Sequence, residues 1–268
     1  MPNLTPSRLA VLGNVSLHYR IDGDPDGAPL VFSNSLSTDL RVWDAVVERL
    51  PPGLCIIRYD TRGHGLSACP EPPYTMGALV SDLEALLDHL DVREVALVGL
   101  SIGGMIAQGL AAKRLDQVRA AILSNTGAKI ATRTVWQNRI DAARNGGLAA
   151  LVDPTFERWF PEPFRSSPQA DLMRHMFLRQ PLEGWIGCAS AISGTDFYTP
   201  TAALRLPVLG IAGDRDGSTP PDLVRETIEL VPGARFHLIK GTGHLPCVDA
   251  PDAYAAALTG FLAEIGHI

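Results

Sequence analysis

Ser101 lies in the stretch LVGLSIGGMI (97–106), with Gly99 two residues before it and Gly103 two after. A serine hydroxyl is a poor nucleophile until a neighbouring base takes its proton. The G-x-S-x-G spacing between an apolar strand and an apolar helix supplies the mechanical half of that requirement: a sharp turn that projects the oxygen from the end of a sheet. Glycines at both flanks remove the Cβ atoms that would collide where strand and helix approach. Gly104 adds room for close helix packing. The same turn starts a helix at Ile102, whose N–H meets developing negative charge at the positive end of the helix dipole.

The base must come from seven histidines. His18 falls in an early hairpin, His89 at a helix end, His175 in a helical stretch and His267 at the terminus. His237 sits inside the apolar strand RFHLI, where a structural role is expected. His64 belongs to YDTRGHGLS, a glycine-rich loop placed to line a site. His244, in KGTGHLPCVDAP, follows the last strand through a short glycine loop and can swing over the end of a sheet, so it is the candidate base. The orienting acid should follow the preceding strand, where PVLGIAGDRDGSTP offers Asp214 and Asp216. Loop length favours Asp216 without excluding Asp214. A second oxyanion donor is expected after the strand LVFSNSLS, at the Leu36 N–H or its neighbour Ser35, with Asn34 and Ser35 shaping that loop by local hydrogen bonds.

These residues need elements to hold them. Apolar runs of strand length alternate with helical patterns of a dozen or so residues, which predicts an α/β fold with a mostly parallel, eight-stranded sheet flanked by helices. LAVLGNVSLHYRIDGD reads as a leading hairpin and LRVWDAVVERLPP as a helix stopped by prolines. The alternation lapses between residues 128 and 200, which read as helices broken by Pro and Gly. We therefore expect a core over 1–127 and 201–268, with a helical cap over 128–200. That insertion carries eight basic and seven acidic residues, a net +1, while the rest of the chain carries −7. An anionic ligand beneath it is the weak electrostatic implication.

Composition narrows the function classes. The 268 residues are 46% hydrophobic and 19% charged, which suits one globular core with an insertion. A formal net charge of −6 without a basic block argues against a nucleic-acid surface. No run approaches the ~18 apolar residues of a membrane span. The start MPNLTPSRLA lacks an apolar run behind basic residues, and the four cysteines form no close pair. These features suit a cytoplasmic protein with reduced thiols.

The assembled pattern resembles the α/β-hydrolase family, and within it the 3-oxoadipate enol-lactonase branch. The matching stretches are LVFSNSLSTDLRVWD, IIRYDTRGHGLS, LVGLSIGGMIAQGLA, IAGDRDGSTP and GTGHLPCVDAP, which run along nearly the whole chain. DTRGHGLS and the serine elbow are common to many members. SNSLSTDLRVWD is more specific, because much of the superfamily has His-Gly where Asn34-Ser35 stands; the branch often has glycine where Ser37 stands.

The resemblance implies Ser101 as nucleophile, His244 as base, Asp216 as acid through the spacing of Gly213, Asp216 and Pro220, and Leu36 and Ile102 as backbone donors. It implies hydrolysis of the enol-lactone to 3-oxoadipate in aromatic catabolism, without metal or organic cofactor. Such enzymes recognise a substrate carboxylate between cap and core, so Lys129, Arg133, Trp136 and Arg139, which open the insertion, are its candidate binding residues. A homodimer is compatible with the sequence. The nearest competing reading is a carboxylesterase or perhydrolase-like enzyme with the same triad. Hydrolysis of carbon–carbon bonds and a non-catalytic receptor on the same fold are the remoter alternatives.

Overall fold

The computed structural model describes residues 6–268. Strands β1 (Arg8–Leu12) and β2 (Val15–Gly23) form the expected hairpin, turning at Gly13 and Asn14. They are followed by β3 (Ala28–Ser33), α1 (Asp44–Val47), β4 (Leu54–Tyr59), α2 (Met76–His89), β5 (Val95–Leu100), α3 (Ile102–Lys113) and β6 (Val118–Ser124). Five helices come next: α4 (Arg133–Gly146), α5 (Ala149–Trp159), α6 (Pro168–Leu178), α7 (Leu182–Ser193) and α8 (Tyr198–Ala202). The chain closes with β7 (Val208–Gly213), α9 (Pro221–Glu229), β8 (Arg235–Ile239), α10 (Pro246–Asp249) and α11 (Pro251–Glu264).

The eight strands make one sheet in the order β1-β2-β4-β3-β5-β6-β7-β8, parallel from β4 onward. Every residue of β4, β5 and β7 is buried, as expected for unbroken apolar runs covered on both faces. Parallel strands end on one edge of the sheet. The loops after β3, β5, β7 and β8 therefore open on the same side, where the segment between β6 and β7 also lies.

Two local expectations are corrected. LRVWDAVVERLPP forms a 3₁₀ turn at Leu40–Trp43 and a helix of only four residues, because Trp43 is drawn inward: its Nε1 donates to Asn34 Oδ1 at 2.8 Å and its ring packs against Phe32 and Tyr254. His237 lies on the edge strand β8 and is exposed, so it fills no core position.

All four cysteines are free, and Cys69 alone is exposed. Among the described residues no helix is long and apolar enough to cross a membrane, and no group of three or more His, Cys, Asp or Glu side chains could hold a metal.

The crossing of α3 over the sheet edge sets the tightest steric limit. A Cβ on Gly103 would lie 2.2 Å from the Ser33 carbonyl oxygen and 2.8 Å from that of Asn34, both backbone atoms that cannot give way. By contrast, a Cβ on the exposed Gly260 of α11 meets nothing within 4 Å. Gly103→Ala is expected to lower unfolding free energy by roughly 3 kcal/mol or more, or to prevent folding. Gly260→Ala should raise it by up to about 1 kcal/mol through helix propensity. Equilibrium denaturation of the two variants checks both signs.

Candidate active site

Ser101 sits between β5 and α3 with φ +58° and ψ −116°, a region that costs a non-glycine residue about 1–3 kcal/mol. Hydrogen bonds hold it there from both neighbours. Its N–H donates to the Ser124 carbonyl at 3.0 Å, and its own carbonyl accepts from Thr126 Oγ1 at 2.7 Å and Gly104 N at 2.9 Å. A Cβ on Gly99 would lie 2.2 Å from the Gly103 carbonyl oxygen, so the turn closes only with glycine there. Ile102 is the first residue of α3, and its N–H stands at the positive end of the helix.

Asp216 and His244 meet in the buried layer beside the serine. His244 Nδ1 lies 2.8 Å from Asp216 Oδ2, and both side chains are almost fully covered. The carboxylate is held on all sides. Thr219 Oγ1 and Asn125 Nδ2 donate to Oδ2 at 2.7 and 2.9 Å, while the Ser218 and Thr219 N–H groups donate to Oδ1 at 2.7 and 3.0 Å. Burial alone would raise its pKa; attraction to His244 and these donors outweigh it and leave Asp216 below the usual carboxylate range.

Asp214 is turned elsewhere, accepting from Gly241 N at 2.6 Å and lying 3.9 Å from Arg215. Of the two carboxylates left open by the sequence, the structure therefore brings Asp216 to the imidazole. Asn125 had no role in the sequence reading; the polar run Ser-Asn-Thr at the end of β6 was the available signal.

Behind His244, Asp249 braces the glycine loop by accepting from Thr242 Oγ1 and from Gly243 N. Burial pushes the Asp249 carboxyl up to about 6, against the pull of those donors and with Asp216 adding to the rise.

The loop after β3 is fixed from below by the motif around Asp60. Asp60 accepts from His18 Nδ1 and from the N–H groups of Leu40 and Leu66. His64 Nε2 accepts from Ser37 N at 3.1 Å, and burial pushes the imidazole down to about 4, so it serves as a neutral brace. Asn34 makes no local bond of the expected kind. It joins Tyr59 O and Trp43 Nε1, pinning the loop to β4 and to the 3₁₀ turn. Ser37 has φ +68° and accepts from Trp185 Nε1 of α7 at 2.9 Å. A left-handed residue with a side chain thus ties the loop to the helical segment, something glycine could not do.

One pocket is lined by Leu36, Ser101 and His244 from the sheet side, and by Trp136, Arg139 and Arg158 from the helical segment. Trp136 anchors itself by donating to the Ile130 carbonyl, and the Arg139 guanidinium lies over its ring at 4.7 Å. Burial, with a smaller contribution from nearby Arg158, pushes Arg139 down to about 10.

Lys129 and Arg133 are placed outside the pocket. Lys129 precedes the helix and pairs with Asp196 at 3.1 Å on the surface, and Arg133 is exposed on the first turn of α4. At 100° per residue, Arg133 points about 120° away from Arg139, whereas Trp136 lies within about 60° of it. Arg158 and Trp159, at the end of α5, were missed. The Trp159 ring stacks on the His244 imidazole at 5.8 Å, and its carbonyl accepts from His244 N at 2.7 Å. Long-range packing of this kind leaves no sequence periodicity.

Two stability measurements check this framework. Ser37→Ala leaves the buried Trp185 Nε1 without a partner and is expected to cost about 1–3 kcal/mol, whereas Ser37→Gly should cost less because glycine accepts the positive φ. For Asp249, the raised folded pKa means that the native state binds more protons than the unfolded chain between pH about 4 and 6. Its contribution therefore makes stability fall as pH rises through that window. Asp249→Asn should remove that fall, read from denaturant unfolding at pH 4.5 and 7.

The model of the alpha/beta hydrolase family matches residues 30–257. The chain is 32% identical over 247 residues to 3-oxoadipate enol-lactonase 2 of Acinetobacter baylyi, covering 91% of this chain and 92% of that protein. Its fold superposes on the enol-lactonase from Burkholderia xenovorans LB400 with a TM-score of 0.92 at 33% identity, over 96% of this chain and 100% of that one. A thermophilic esterase from Thermogutta terrifontis, solved with malate bound, gives a TM-score of 0.89 at 27% identity, over 97% and 99%. With the sheet order, the strained serine at the strand–helix turn and the His–Asp pair beside it, these likenesses establish that the chain belongs to the alpha/beta hydrolase family.

Proposed function

We propose that the protein hydrolyses 3-oxoadipate enol-lactone to 3-oxoadipate, as a cytoplasmic serine hydrolase of aromatic-acid catabolism whose segment 128–200 acts as the cap. The observation that carries this reading is Arg139, a half-buried guanidinium without a carboxylate partner, lining the pocket that holds Ser101 and His244. An unpaired cation that has lost part of its hydration gains from a charge-assisted pair, which the carboxylate of an anionic lactone supplies. Trp136 offers an apolar face to the ring. The likeness to two enol-lactonases at about a third identity over nearly the full chain supports the same substrate.

In this mechanism Ser101 Oγ attacks the lactone carbonyl as His244 takes its proton. The N–H groups of Leu36 and Ile102 receive the oxyanion, each contributing about 3 kcal/mol in favourable cases. Asp216 holds the imidazole in the tautomer that can accept that proton and stabilises its charged form. Collapse expels the enol oxygen, which receives the proton, stays tethered in the acyl-enzyme and ketonises. His244 then activates water to release the acid. Ser101, Asp216 and His244 are the proposed catalytic residues, and Arg139 and Trp136 the proposed carboxylate and ring contacts.

A second reading, hydrolysis of small neutral esters, draws on the likeness to the Thermogutta terrifontis esterase. The discriminating measurement is kcat/KM for the enol-lactone against its methyl ester. Masking the carboxylate is expected to cost about tenfold or more, and Arg139→Gln should abolish that difference. Equal rates on the two substrates would select the esterase reading. Ser101→Ala should lower kcat by about 10⁴-fold or more in either case.

A further inference from the structure

Two cationic side chains line the pocket, one more than the single carboxylate of a monoanionic lactone can pair with directly. Arg139 and Arg158 both line it, and among the described residues no Asp or Glu lines it with them. Arg158 is half-buried; Thr155 Oγ1 accepts a hydrogen bond from its Nη2 at 3.1 Å, and its Nε is buried without a partner. Two neighbouring guanidiniums repel each other and lose hydration, so each gains from an anionic partner.

The two arginines are carried by different helices. Arg139 lies on α4 over the Trp136 ring. Arg158 belongs to the last turn of α5, which is fastened to both loops of the His–Asp pair. Its carbonyl accepts from Gly217 N at 2.9 Å, next to Asp216, and the following residue accepts from His244 N. A Cβ on Gly243 would lie 1.9 Å from the Trp159 carbonyl oxygen, so only glycine permits this approach. Arg158 is therefore carried on the same rigid frame as the imidazole.

We propose that these two guanidiniums form a two-ended dicarboxylate site, in which Arg139 receives the carboxylate the substrate brings and Arg158 receives the one that hydrolysis creates. The proposal rests on the reading of the pocket as a hydrolase site for a carboxylate-bearing lactone. Hydrolysis breaks the acyl C–O bond and adds the water oxygen to the acyl carbon. One proton of the water goes to the enol oxygen, and the other leaves when the new acid ionises, so a monoanion becomes a dianion. The second charge appears at the acylated serine, beside the Asp216 and His244 loops to which the end of α5 is bonded. Straight-chain dicarboxylates of about six carbons are accordingly ligands of the resting enzyme and compete with substrate.

Isothermal titration calorimetry on full-length Ser101→Ala protein, with adipate and monomethyl adipate as probes, tests this without turnover. Adipate is expected to bind about tenfold or more tightly than its monomethyl ester, the range of one charge-assisted hydrogen-bond pair. Adding Arg158→Gln should bring the ratio close to one, and Arg158→Lys should leave it intermediate, because a point charge replaces the planar fork. Adding Arg139→Gln should weaken both ligands. Equal affinities in Ser101→Ala protein, or a ratio unmoved by Arg158→Gln, overturn the proposal. If Arg158→Gln does not fold, the Arg158→Lys ratio carries the test. Turnover of the enol-lactone is read separately. An enzyme that binds adipate preferentially but leaves the lactone intact removes the substrate reading and retains the dicarboxylate site; the converse removes the site alone.

Discussion

The left-handed backbone of Ser101 is the constraint around which the molecule is arranged. A residue with φ +58° at the junction of β5 and α3 lies in a conformation the local chain disfavours, and it persists because its surroundings over-determine it. Strands β3 and β6 flank β5, the carbonyl of Ser124 accepts from the serine N–H, and Thr126 Oγ1 donates to the serine carbonyl. The fully buried β5 supplies the anchoring on one side and the apolar α3 on the other. The steric limits at Gly99 and Gly103 are the consequence of forcing a helix so closely over the sheet edge.

A second principle is that the groups around the serine are held by polar bonds in a dry layer, where each unmade bond would be expensive. Asp216 accepts four donors besides its approach to His244, so its charge is retained despite burial. His64 shows the opposite outcome: fully buried and accepting from Ser37 N, it is kept neutral. Two histidines within one site thus differ in their partners. One faces a carboxylate and the other a backbone donor, which separates a candidate base from a structural brace.

The helical segment and the sheet share this polar frame. Trp185 donates to Ser37, the end of α5 bonds to the loops of Asp216 and His244, and the Trp159 ring lies on the imidazole. Arg158 on that segment is consequently tied to the loops of the site by backbone bonds as well as by packing. Ser37 illustrates the trade: the chain accepts a strained φ and gains a hydroxyl that fastens α7.

By itself the sequence determined what depends on short-range pattern. The alternation of apolar runs and helical stretches yielded the sheet and the run of helices between β6 and β7, and the glycine spacing around Ser101 marked the strained turn, because the absence of a Cβ on either side of the serine is a local condition for such a turn. The same local logic singled out His244 behind its glycine loop. Loop length and the family spacing already favoured Asp216 over Asp214; the tertiary structure gives each its partner, Gly241 N for Asp214 and the imidazole for Asp216. It alone assembled Asn125, Arg158 and Trp159 with the pocket, across 91 residues for the Asn125–Asp216 bond. It also decided which face of α4 meets the pocket, admitting Arg139 and leaving Arg133 outside. Contacts between distant segments depend on how the layers pack, and no local periodicity encodes that packing.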